Sequence, residues 1–70
     1  MQIKVCIDGQ TLTVERSKYT QAKYKQLKKF GYNNLTIKEV ETELDAILKG
    51  EKLTVIGMFM KDDIITKDNL

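Results

Sequence analysis

The chain has 70 residues, with 12 basic and 10 acidic side chains, no histidine and one cysteine. That length supports one small domain, residues 1–70, and the residue inventory supplies neither a disulfide framework nor the four ligands of a structural zinc site. With no histidine to work near neutral pH, one serine without a base and one thiol without a partner, catalysis is not expected; nor is a cofactor, a metal or a small-molecule substrate.

Residues 2–15 read as a β-hairpin. Asp8-Gly9 is a residue pair that tolerates the positive φ angles of a tight turn. A two-residue loop there pairs Ile7 with Gln10, Val5 with Leu12 and Ile3 with Val14, which puts the apolar side chains on one face. Those five apolar residues are expected to be buried together, with Cys6 on the opposite face as an inert, semi-exposed thiol.

Residues 17–30 read as a helix with Ser17 as its N-cap and Gly31 as its left-handed terminator. At 3.6 residues per turn, Tyr19, Tyr24, Leu27 and Phe30 share one side. Lys18, Lys25, Lys28 and Lys29 share the other, while Lys23 lies near the apolar side. The link GYNNL leads to a second helix at 37–49. Thr36 and Glu39 form a capping box before it, and Gly50 ends it. Its apolar stripe is Ile37, Val40, Leu44, Ile47 and Leu48, flanked by Glu41 and Glu43.

The segment LTVIGMFM, and with it residues 53–66, fits two readings. Its β-forming residues favour a third strand, yet Leu53, Ile56, Met60 and Ile64 also fit a helical face with Thr54 as cap. The end, TKDNL, is expected to fray. The fold class is therefore a small α+β domain: hairpin, two helices and an apolar C-terminal segment. The N-terminus alternates apolar and polar residues, unlike a signal peptide, and the longest apolar run is too short for a membrane span. A cytoplasmic protein that does not engage membranes is the expectation, and the single cysteine suits a reducing compartment.

Charge is segregated. Residues 16–38 hold seven basic groups and no acid, whereas residues 39–51 hold Glu39, Glu41, Glu43, Asp45 and Glu51 against Lys49. Lysines attract phosphates and aromatic faces stack on unpaired bases, so Lys18, Lys25, Lys28, Lys29 and Tyr32 are the candidate nucleic-acid contacts. With a single arginine, binding should be non-specific. A helix-turn-helix arrangement is disfavoured, because the acidic second helix would be repelled by phosphates. The preference for lysine over arginine is what an AT-rich coding sequence gives, and it suits a phage or mobile element of a low-GC bacterium.

The expected function is a non-enzymatic accessory factor that contacts nucleic acid in DNA replication or regulation. The alternative is a protein-binding module, an inhibitor or small subunit. It would dock through the acidic helix (Glu41, Glu43) or the C-terminal apolar segment (Met58, Ile65), with a protein partner or a second copy of itself.

Overall fold

The turn at Asp8-Gly9 sets the first element pair. In a computed structural model, which describes residues 1–65, both residues adopt positive φ, 51° and 77°. They join strand β1 (Gln2–Ile7) to strand β2 (Gln10–Glu15), antiparallel, in the expected register: Ile3 opposite Val14, Val5 opposite Leu12, Ile7 opposite Gln10. Burial along that face is uneven. Ile3 and Val5 are in the core and Val14 packs against it, but Ile7 and Leu12 are 42% and 43% exposed. The residues nearest the turn are less covered than those at the base of the hairpin, although Ile7 and Asp8 share a groove with Ala22 and Gln26 of the helix that follows. The five-residue apolar face is thus only partly core. Cys6 is exposed on the other face.

Helix α1 (Arg16–Lys29) leaves β2 without a connecting loop. Ser17 is not its N-cap. Glu15 occupies that position without a capping side-chain bond, and the Ser17 carbonyl accepts a bond from Thr20 Oγ1 at 2.9 Å. The junction is held instead by the chain start. Arg16 N–H donates to the Met1 carbonyl at 2.9 Å, and the Met1 ammonium pairs with the Glu15 carboxylate at 2.9 Å. At the other end Gly31, at φ 109°, closes a Schellman motif: its N–H donates to the Lys28 carbonyl, and Tyr32 N–H donates to that of Leu27. Tyr19 and Leu27 are buried and Tyr24 is half-buried, but Phe30 is 73% exposed rather than core. The reversal at Gly31 folds Tyr32 back against the core cluster, so the last turn of α1 runs past it.

Helix α2 (Ile37–Lys49) has the expected capping box, with Glu39 N–H donating to Thr36 Oγ1 and Thr36 N–H donating to Glu39 Oε1, both at 3.2 Å. Gly50, at φ 72°, ends it. Val40, Leu44 and Ile47 fill the core, Leu48 packs at its margin and Ile37 is exposed.

The favoured third strand is not formed. Residues Val55–Met60 are helix α3 instead. The β-forming composition is overridden by a distant side chain, because Glu43 Oε1 accepts bonds from Thr54 N–H (2.7 Å), Thr54 Oγ1 (2.6 Å) and Gly57 N–H (3.2 Å). A carboxylate on the first N–H groups of a helix satisfies orphan donors that a local cap would otherwise serve. Gly57 is required by the same contact, since a Cβ there would lie 2.7 Å from Glu43 Oε1 and 3.0 Å from Leu53 Cβ. After α3 the chain returns to the hairpin. Cys6 N–H donates to the Asp63 carbonyl at 2.8 Å, Ile65 N–H donates to that of Lys4 at 3.0 Å, and buried Ile64 bridges Val5. The strand character of the segment is confined to that bridge. The expectation for TKDNL lies outside the described residues.

The result is a small α+β domain in which Val5, Val40, Leu44, Met60 and Ile64, one or more from each of β1, α2 and the C-terminal segment, are fully buried together. Among the described residues no helix is long and apolar enough to cross a membrane.

Candidate binding surface at the end of the first helix

The side chains that α1 carries to its C-terminus fall into two groups. Lys18, Lys25 and Lys29 are exposed, and none has an acidic partner among the described residues. Lys28 is half-buried. Its Nζ donates to the Asn33 carbonyl at 2.8 Å and lies 5.7 Å from the centre of the Tyr24 ring. It therefore braces the turn that carries Tyr32 while keeping its charge at that end of the helix. Lys18 belongs elsewhere, about 16 Å away along the helix axis from Lys29 at 1.5 Å per residue.

Tyr32 is half-buried and meets Phe59 edge to face, with ring centroids 5.8 Å apart and planes at 69°. Leu27, Phe30, Gly31, Tyr32 and Phe59 line a groove of about 300 Å³. A neighbouring groove of about 470 Å³ shares Gly31 and Tyr32 and continues to Val55. Phe30, Val55, Met58 and Phe59 are all more than half exposed. Phe30, Tyr32 and Phe59 thus line one apolar groove, and the exposed Lys29 is next in sequence to Phe30. Sequence reasoning misses Phe30 because an aromatic at helical spacing reads as core, and it misses Phe59 because the segment LTVIGMFM reads as a buried strand. The available signal was the position of Phe30 immediately before the terminating Gly31.

The candidate protein-docking residues are dispersed. Glu43 is buried and spends Oε1 on α3; its carboxyl is held below the usual range, chiefly by the Thr54 hydroxyl and further by the Thr54 and Gly57 N–H groups, against the opposing effect of burial. Glu41 is exposed, and its backbone carbonyl accepts a bond from Arg16 at 3.2 Å. Arg16 also pairs with Asp45, which ties α1 to α2. Glu39 serves the capping box. Most of the acidic helix is therefore committed internally. Met58 is exposed on α3, while Ile65 is half-buried and bonded through its backbone to Lys4.

A polar cluster lies on the other side of α1. Asp63 Oδ2 accepts a bond from the Tyr19 hydroxyl at 3.1 Å and pairs with Lys23 at 2.8 Å. Burial first, and the Asp63 charge second, push the Tyr19 hydroxyl far above its ordinary value, so it acts as a donor and not as a base. With the Cys6–Asp63 backbone bond, this cluster clamps the C-terminal segment onto α1 and β1. No group of three His, Cys, Asp or Glu able to hold a metal occurs among the described residues. The chain matches no protein-family model, no curated protein and no solved structure.

Proposed function

We propose that the protein is a non-enzymatic accessory factor that binds single-stranded nucleic acid at the end of α1. Bases would stack on Phe30 and the Tyr32–Phe59 pair, and phosphates would be met by Lys25, Lys28 and Lys29. The observation that carries the reading is the 73% exposure of Phe30, next in sequence to the exposed Lys29, on a groove it shares with two further aromatic rings. An exposed ring with cations at its rim suits unpaired bases, because every base has a π-face and the backbone brings the charge. A duplex hides its bases and would engage the lysines alone. The phage or mobile-element setting, in replication or regulation, is part of the same proposal and rests on the lysine-rich composition.

A titration of labelled single-stranded and duplex oligonucleotides at low salt tests it. Preference for the single strand, lost on Phe30→Ala, is the expected result. Failure of both oligonucleotides to bind would remove the proposal. A second reading has its own support: Val55, Met58 and Phe59 are exposed together on α3, as on a helix that docks in a protein groove. That reading would then stand, with the same aromatic surface facing a protein.

A further inference from the structure

The two edges of the hairpin are treated differently. On β1 the backbones of Lys4 and Cys6 face outward and are taken up by residues 63 and 65. In an antiparallel pair, residues opposite each other share one hydrogen-bonding sense. Cys6 lies opposite Thr11 and Lys4 opposite Thr13, so Thr11 and Thr13 turn their N–H and C=O groups outward on β2. Among the described residues no backbone or side-chain group bonds to them. Natural edge strands are usually guarded by lysine, proline or a bulge. From Gln10 to Val14 this one has no charge and no proline, and threonine and valine favour extended pairing.

We infer that β2 pairs antiparallel with β2 of a second copy, making a four-stranded sheet about a two-fold axis at Leu12. In this register Thr11 of one chain exchanges backbone bonds with Thr13 of the other, and Leu12 meets its own copy. Leu12 and Ile7, both exposed at the hairpin tip, become one apolar strip across the seam. Gln10 falls opposite Val14, so no like charges oppose one another, and Asp8 of one chain falls opposite Arg16 of the other. That self-complementarity selects a second copy over an unrelated extended peptide. The seam is short, well below the size of obligate interfaces, so association depends on concentration.

Sedimentation equilibrium from roughly 10 μM to 1 mM, a range matched to weak association, should show a monomer passing into a dimer. Amide exchange at Thr11 and Thr13 should slow as the dimer fills, while loop amides such as that of Asn34 stay unchanged. Leu12→Lys should give a monomer with the hairpin spectrum intact, and Phe59→Lys should still dimerise. A strict monomer over the whole range, with concentration-independent exchange at Thr11 and Thr13, would overturn the inference. So would a dimer abolished by Phe59→Lys and untouched by Leu12→Lys.

Discussion

Removing the Glu43 carboxylate should unlatch helix α3. The structure makes this residue the cap of an element eleven positions away, through three hydrogen bonds converging on Oε1. Hydrogen bonds to a charged group contribute about 1.5–3 kcal/mol each in isolation, but bonds that share one oxygen are not additive. Glu43→Ala also leaves the Thr54 and Gly57 N–H groups without their acceptor. A loss of about 2–4 kcal/mol follows, which for a domain of this size lowers the melting temperature by roughly 10–25 °C. A six-residue helix cannot hold itself without such support. Denaturant unfolding of Glu43→Ala and Glu43→Gln measures the effect, and Gln, which keeps one acceptor oxygen, should lose less. The pH dependence adds a second check. A carboxyl held lower in the folded state than in the unfolded chain contributes stability that is present above the unfolded value and is lost as pH falls through the folded one. Wild type should therefore lose stability on acidification more steeply than Glu43→Gln. A Glu43→Ala variant within about 0.5 kcal/mol of wild type, the range of ordinary surface changes, would refute the reasoning.

Val5→Ala should cost about 1–3 kcal/mol, because Val5 is fully buried, whereas Ile7→Ala on the same strand face should cost under about 1 kcal/mol; equal losses in chemical denaturation would contradict the half-covered hairpin. Tyr19, whose folded value is raised, contributes stability that is complete below the ordinary phenol range and is lost as pH rises above about 10. Tyr19→Phe should flatten that alkaline limb in a pH series of melting curves. In the binding assay, Lys25→Ala and Lys29→Ala should each reduce the slope of log affinity against log salt by about 0.7, the increment for one phosphate contact on a single strand. Lys18→Ala should leave the slope unchanged.

Local signals carried most of the fold. Asp8-Gly9 with the alternation around it set the hairpin register, Thr36 and Glu39 set the start of α2, and Gly31 and Gly50 set two helix ends. Each of these is decided within a few residues of chain. What stayed illegible depends on contacts between distant residues. Ser17 has the chemistry of a cap, but the strand runs straight into the helix and the Met1 carbonyl takes the Arg16 N–H instead. LTVIGMFM has the composition of a strand, but Glu43 supplies the acceptors that make a helix start at Val55. Phe30 has the spacing of a core residue, yet the core ends one turn earlier at Leu27, where Tyr32 folds back. That last difference created the candidate surface, since it released an aromatic ring that periodicity assigns to the interior. The lysine face was legible because charge lies outside in nearly any small fold. Which lysines neighbour the aromatic groove was not, because it depends on the turn at Gly31.

The central claim is that an exposed aromatic surface with a lysine rim binds unpaired bases. Fluorescence anisotropy with matched single-stranded and duplex oligonucleotides, for wild type and Phe30→Ala at low salt, measures it most directly. Phe30 is mostly exposed, so its removal should leave stability within about 0.5 kcal/mol. The account predicts tighter binding of the single strand by wild type, and a loss of about 1–3 kcal/mol, roughly five- to 150-fold, for that strand alone in Phe30→Ala. Equal affinity for both oligonucleotides that Phe30→Ala leaves unchanged, or no binding of either, would contradict it.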